Sequence, residues 1–306
     1  MEIKIDSDFS EWFGYWMGDG DRSLKRGTFG VASQSLDIHK LNMKILLDYF
    51  HLEKKRLRVE ITTSRKAPDE DMRKEYSNLL ELNISQIKTI SRTPLANRDC
   101  IRLFVYSLIT LRDFLKQVEE IKNKILISDR TIMSKFVSGI FAAEGSIRKK
   151  GKNIRMLMLK KNEVEFVRKI LDKLGIVSTM NLQKNSGGWE ISICSYENLA
   201  KFREIGGFGR MVEKNAILEE RMTHYENKLP WAERYSRLCK IFSAQSQLTN
   251  KIVAEKFKMK YHNAKFMMAT FAKLGLLNVS KINKIYVYTL NESADCDEID
   301  IKSHIT

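Results

Sequence analysis

Residues 56 to 62, RLRVEIT, alternate strictly: Leu57, Val59 and Ile61 hold the apolar positions and Arg56, Arg58, Glu60 and Thr62 the polar ones. A period of two marks a strand with one buried face. LELNIS (80–85), IRLFV (101–105), NIRMLML (153–159), STMNLQK (178–184) and WEISI (189–193) read the same way. In the last two, Met180, Leu182, Trp189, Ile191 and Ile193 share one side, and Thr179, Asn181, Gln183, Glu190 and Ser192 the other. Between strands the period lengthens. NEVEFVRKILDKLG (162–175) gathers Val164, Val167, Ile170, Leu171 and Leu174 on one helical face and stops on Gly175.

The chain also repeats itself. WFGYWMGDGD (12–21) is answered by VSGIFAAEGS (137–146), with Gly139 for Gly14, Ala143 for Gly18, Glu144 for Asp19 and Gly145 for Gly20. Each is an apolar helical run that ends in a small residue, an acid and a glycine. LDYFHL begins 28 residues after Asp19 and LDKLGI begins 27 after Glu144. IKNKIL (121–126) then matches EKNAIL (213–218); their lysines, Lys122 and Lys214, lie 103 residues after Asp19 and 70 after Glu144, so the first copy carries about 33 extra residues. The polar stretches TSRKAPDEDMRKEYSN and SRTPLANRD are their natural place, because surface loops tolerate insertion. The expected architecture is α/β (α+β): two copies, 1–125 and 126–225, each helix, two strands, helix, two strands, helix. Each would form an antiparallel sheet with helices on one face and a polar opposite face.

Beyond the repeats, Pro230 marks a boundary. WAERYSRLCKIFS, LTNKIVAEKF and YHNAKFMMATFAKLGLL read as three helices, with Thr249 or Asn250 capping the second. NVSKINKIYVYTLN reads as a hairpin, and three helices plus a hairpin over 230–291 resemble a winged helix. Its third helix, 261–274, would present Lys260, His262, Asn263 and Lys265 to DNA. The acidic end, 292–306, reads as a solvated tail.

Charge narrows the partners. Lys and Arg number 53 and Asp and Glu 38, a formal net of +15 with a pI near 9.5. That sign points to a polyanion. No apolar run approaches a membrane span and the N-terminus lacks a signal-peptide core. Cys100, Cys194, Cys239 and Cys296 stand apart without a CxxC pair, and the 5 histidines are scattered. An intracellular protein in cytoplasm, nucleoid or organelle matrix is expected. On the outward sheet positions, Arg56, Arg58, Thr62, Arg155, Thr179, Asn181, Gln183 and Lys184 suit base-edge and phosphate contacts, since a β-ribbon fits the major groove.

Gly14 and Gly18, like Gly139 and Ala143, fall on one helix face and allow backbone-close packing. If the two helices pair, Asp19 and Glu144 meet at their ends. Two such carboxylates repel unless a cation lies between them, and hard oxygens suit Mg²⁺. On these residues the chain resembles the LAGLIDADG homing endonucleases of the single-chain, two-motif kind. The resemblance implies a saddle of two sheets over double-stranded DNA, a monomer, an asymmetric target and metal-assisted phosphodiester hydrolysis. It implies Asp19 and Glu144 as catalytic and metal-binding acids, with the carbonyls of Gly18 and Ala143 as further metal contacts. It also implies a polar residue after the second strand, Gln34 in one copy and Lys160 or Lys161 in the other, and a basic residue at the head of the last helix, Lys122 and Lys214. Two other readings share these features: a DNA-binding regulator on a LAGLIDADG core with a helix-turn-helix, and a maturase that binds intron RNA.

Overall fold

The computed structural model describes residues 3–147, 153–226, 231–257 and 259–291. It divides into two compact units, Met1–Tyr225 and Glu226–Thr306. The acidic tail lies outside the described residues, as do Pro230 and the boundary drawn at it.

The first half of the larger unit runs α1 (Ser7–Asp19), β1 (Thr28–Ser33), α2 (Leu36–Lys44) with a π-turn over Ile45–Tyr49, β2 (Arg58–Thr63), α3 (Asp69–Leu80), β3 (Ile87–Arg92), β4 (Cys100–Tyr106) and α4 (Leu108–Ile127). The second half runs α5 (Arg130–Glu144), β5 (Gly145–Ile147), β6 (Ile154–Met158), α6 (Lys161–Lys173), β7 (Ser178–Leu182), β8 (Trp189–Ile193), α7 (Tyr196–Glu204) and α8 (Val212–Glu226). The sheets are ordered β1-β4-β2-β3 and β5-β6-β8-β7. One apolar core joins α1 and α5 to the inner faces of both, through Phe13, Val59, Leu103, Phe136, Met156 and Ile191 among others. Asp6 caps α1 by accepting from Phe9 N at 3.0 Å, and Asp129 caps α5 by accepting from Ile132 N at 2.9 Å.

Strand register makes the repeat explicit. Ala32 pairs with Arg102 and Leu157 with Glu190, while Glu60 pairs with Arg102 and Asn181 with Glu190. Thus β1, β4 and β2 correspond to β6, β8 and β7. Along the first helix, strand and second helix the offset is 144 − 19 = 125 residues. The one-residue mismatch at LDYFHL has a local cause: the π-turn at Ile45–Tyr49 takes up one residue that the second copy lacks. After it, His51 at φ 51° stands where the second copy has Gly175 at φ 75°.

Four expectations are corrected. The polar insertion is not loop; residues 64–99 fold into α3 and a fourth strand. That strand, β3, runs parallel to β2, so the first sheet is not purely antiparallel. A parallel neighbour needs a crossover, and α3 provides it. LELNIS is not a strand: Leu80 ends α3, Glu81 turns left-handed at φ 53°, and Asn83 caps a 3₁₀ turn over Ile84–Gln86. The first strand of copy one shrinks to a single bridge, Gly20 with Val31. Beyond it, Ser23 O accepts from Arg26 N and Gly27 N and turns the chain away.

The smaller unit has its own core around Tyr235, Leu238, Met267, Phe271 and Leu276. It comprises α9 (Trp231–Ala244), β9 (Leu248–Thr249), α10 (Asn250–Lys256), α11 (Tyr261–Lys273), β10 (Leu277–Ile282) and β11 (Ile285–Leu290), with sheet order β10-β11-β9. Thr249 caps α10 by accepting from Ile252 N at 3.4 Å. Asn283 and Lys284, at φ 48° and 67°, make the two-residue hairpin turn.

Candidate active site

α1 and α5 cross with no side chain between them at two points. A Cβ on Gly14 would lie 2.2 Å from the Phe136 carbonyl oxygen, and one on Gly139 would lie 1.9 Å from that of Glu11. Only glycine fits there, and the two contacts are related by the repeat. One turn on, a Cβ on Gly18 would fall 2.5 Å from Ala143 Cβ and 3.3 Å from Glu144 Oε1. The Glu144 carboxylate therefore lies against the end of α1, one residue before Asp19.

Glu144 is half-buried and Asp19 keeps an exposed surface, and the two are electrostatically coupled. Partial desolvation pushes the Asp19 carboxyl above the usual range, against the pull of Tyr15 and Lys214. Burial and the charge of Asp19 push Glu144 up as well, with Lys214 and Arg22 offsetting part of it and Glu163 adding to it. The Lys214 ammonium donates to the carbonyls of Ala142 and Gly145, both at 2.7 Å, and to that of Ala143 at 3.4 Å. It thus holds the negative end of α5. Burial lowers its pKa, while Asp19 and Glu144 raise it. On the other side Arg22 lies over the Trp16 ring, 5.0 Å from its centroid, and donates to the Trp16 carbonyl at 3.5 Å and to Glu163 at 3.1 Å. Tyr15, one turn before Asp19, donates to the Ala32 carbonyl at 3.0 Å. Two anions that repel, with Lys214 acting on both and Arg22 on Glu144, form a site for a hard cation or a phosphate.

A sequence profile described as "LAGLIDADG-like domain" matches residues 131–207, which hold most of α5 and run through α7. That span, in the second repeat, is similar to LAGLIDADG-like domains. Among solved structures it is similar to the homing endonuclease I-DmoI in complex with DNA and Mn, at 15% identity over 66% of this chain and 97% of that one, TM-score 0.42. I-DmoI structures with DNA and Ca and with target DNA and Mg are similar to a like degree. Full-length DUF199/WhiA from Thermatoga maritima is similar at 12% identity over 89% of this chain and 92% of that one, TM-score 0.41. No curated protein matches.

The paired helices α1 and α5 bring together Asp19, Glu144, Gly18, Ala143 and Lys214, and only some of the other expected residues join them. Lys122 does not. It lies inside α4, paired with Glu119 at 2.8 Å and 5.8 Å from the Phe166 centroid. The reason is a register difference. The N-caps Ser107 and Ser195 correspond, which sets Lys122 opposite Arg210. Copy one continues as a 20-residue α4, whereas copy two breaks at Gly206, Gly207 and Gly209, at φ 104°, 56° and 50°, and restarts as α8. Only that restart delivers a lysine to the acids.

Gln34 is exposed in the turn between β1 and α2. Its counterpart at the 125-residue offset is Leu159, not Lys160 or Lys161, and Leu159 is 76% exposed. Lys160 N-caps α6 and pairs with Glu163 at 3.7 Å; Lys161 pairs with Glu165 at 3.2 Å and lies 5.1 Å from the Trp189 centroid. The Ala143 carbonyl already faces the Lys214 ammonium. On the sheets, Thr62, Arg155, Thr179 and Asn181 are exposed and outward, with Arg155 3.8 Å from Glu190. Arg56 and Arg58 are occupied near the start of β2: Arg56 donates to the Tyr106 carbonyl at 3.0 Å, and Arg58 to those of Lys55 and Leu57 at 2.6 and 2.8 Å. Gln183 and Lys184 sit in the β7–β8 turn, with Lys184 exposed. In the smaller unit Lys260 N-caps α11, and Asn263 and Lys265 are exposed along it. Asp21, two residues past Asp19, accepts from Arg102 and Thr28. Sequence reasoning missed Arg22, Tyr15 and Glu163; the position of Tyr15 four residues before Asp19 was the only available signal.

The donor set fits a hard divalent cation. Among the described residues no group of three or more His, Cys, Asp or Glu side chains could hold a metal. Asp19 and Glu144 would therefore supply two anionic oxygens, and carbonyls, water or phosphate the rest.

Proposed function

We propose that the protein is a site-specific double-strand DNA endonuclease that uses Mg²⁺. The observation that carries this reading is the meeting of Asp19 and Glu144, one acid from each repeat, at the foot of a glycine-packed helix pair. A bound divalent ion would supply activation of water and neutralisation of phosphate charge. The chain's own residues do the rest. Asp19 and Glu144 would hold the cation between two anionic oxygens. Lys214 keeps its protons on three carbonyls, which fixes its charge beside the pair and favours the extra negative charge of the transition state. Arg22 plays the same part from the first repeat. Gln34 orients water on one side; Leu159 at the equivalent place makes the two halves chemically unequal.

Two unequal sheets in one chain fit an asymmetric target bound by a monomer. The C-terminal unit acts as a winged-helix module. From 231 to 291 it holds eleven Lys and Arg against two Glu, a net of +9. α11, with Lys260, Asn263 and Lys265, enters a groove. That same charge favours the second reading, a DNA-binding regulator whose LAGLIDADG core no longer cuts.

The test is cleavage of a plasmid library with Mg²⁺ by wild type, Asp19→Asn and Glu144→Gln. The endonuclease reading expects cutting by wild type and none by either variant, with DNA binding kept, because each change is near-isosteric. Full-rate cutting by a variant overturns the assignment of the acids. Wild type that binds one sequence and never cuts transfers the case to the regulator.

A further inference from the structure

The outward rows of the two sheets can be matched one to one. Across β1, β4 and β2 the central row reads Ala32, Arg102, Glu60; across β6, β8 and β7 it reads Leu157, Glu190, Asn181. The charge at the middle of the row is inverted. In the first sheet the Arg102 guanidinium lies over Phe104, 4.2 Å from the ring centroid. Its Nη1 donates to Glu60 Oε2 at 2.6 Å, and its Nη2 donates both to Asp21 and, at 2.8 Å, to Thr28 Oγ1. Both forks of a guanidinium, end-on and side-on, use an Nη2 hydrogen. With Nη2 committed twice, Arg102 has no fork left for the guanine edge, the partner arginine ordinarily takes.

Glu60 is in the opposite condition. One oxygen is fixed by Arg102; among the described residues the other accepts no hydrogen bond, and the side chain is 34% exposed on the outward face. A bare carboxylate on a DNA-facing sheet is repelled by phosphates. One neutralised and oriented by a guanidinium is a directed acceptor. Among bases in the major groove, the partner that suits such an acceptor is the N4 amino group of cytosine.

We propose that Glu60 is a base-reading residue of the first sheet, selecting cytosine at one position of the target, and that Arg102 is its positioning residue. This rests on the DNA-binding reading above. The test is selection by full-length protein from duplexes randomised across the footprint, at fixed salt. Wild type, Glu60→Ala, Glu60→Gln and Arg102→Met are compared, each with a urea midpoint to confirm folding.

Wild type is expected to prefer cytosine at one base pair of the first half-site by about tenfold or more. Glu60→Ala should erase that preference alone and leave affinity for unrelated duplex equal or higher. Glu60→Gln should move the preference toward adenine, since an amide both accepts and donates. Arg102→Met should blunt the same base pair and no other, which a merely structural arginine would not do. If folded Glu60→Ala keeps every wild-type preference, or loses all of them uniformly, the proposal is overturned while DNA reading stands. Wild type with no sequence preference at all removes the DNA reading and this inference with it.

Discussion

Where α1 sets Trp12 against Asn42, α5 sets Val137 against Val167 at the matching positions. In the first repeat Trp12 Nε1 donates to Asn42 at 2.9 Å, and Asn42 donates on to the Leu103 carbonyl at 2.9 Å. In the second repeat the same space is filled by two valines with no polar atom to satisfy. The pattern recurs at His39, buried in α2 where α6 has buried Val164. One face of α1 is also a run of rings: Phe9, Trp12, Phe13 and Trp16 pack with Phe29, Phe50 and Phe114. Opposite Phe9 and Phe13, α5 has Ser134 and Ser138. One fold thus holds a polar and aromatic cluster around α1 and, at the matching positions of the second repeat, valines and serines. The lesson is that the repeat keeps its backbone positions while the size and chemistry of the side chains on them drift. What it cannot let drift is the seam, where Gly14 and Gly139 remain.

The seam therefore gives the largest expected effects, and they should be alike in the two halves. Gly139→Ala and Gly14→Ala each drive a Cβ into a backbone carbonyl of the partner helix, which cannot rotate aside. A loss of about 3 kcal/mol or more is expected for each. Chemical denaturation measures it; a small effect at one glycine and a large one at the other would break the pseudo-symmetry.

The cores should differ most in acid. His39 offers Nε2 to the Ser33 carbonyl at 3.1 Å, while among the described residues its buried Nδ1 has no partner. Burial lowers its pKa to about 4, against 6.5 ordinarily. The unfolded chain takes up this proton as pH falls through about 6.5, and the folded chain does so only near 4. Stability is therefore full above pH 6.5 and declines between the two values, by about 3 kcal/mol in total. His39→Val, which copies the second repeat, should flatten that part of the stability–pH curve. An unchanged slope would mean that His39 is not buried as a neutral ring.

The two lysines sharpen the contrast at the site. Lys214→Met should lower cleavage by about a hundredfold, the scale of losing one charge-stabilising donor. Lys122→Met should leave the rate at the wild-type level. Equal losses would restore the equivalence that the matched motifs suggest. The smallest effect is at the ends of α2 and α6. His51→Gly should stabilise by about 0.5–1 kcal/mol and Gly175→Ala should cost about 1 kcal/mol, because both positions are left-handed. Melting temperatures of the two variants should move in opposite directions.

Much of this was written locally. Alternation in RLRVEIT and WEISI, the face of NEVEFVRKILDKLG and the spacing of Gly14, Gly18 and Asp19 are read within a few residues, and their elements formed where expected. LELNIS misled because Leu80 and Leu82 are both buried, at 1% and 6%, yet they belong to a helix end and a turn rather than a strand. EKNAIL misled because likeness to IKNKIL fixes residue type, not the path of the chain before it.

By itself the sequence determined the repeat, the glycine seam and which two acids would end the paired helices, since each is set by short-range period and by the steric demand of one position. Tertiary structure decided the company those acids keep. Lys214 reaches the end of α5 across 72 residues, Arg22 is tied to Glu163 across 141, and Arg102 is locked by Asp21 across 81 and by Glu60 across 42. No local pattern encodes such meetings: a charged side chain is directed by which opposite charge or bare carbonyl the folded chain brings within reach, and that depends on where the glycine loop of copy two breaks its helix and where the insertion of copy one adds its strand.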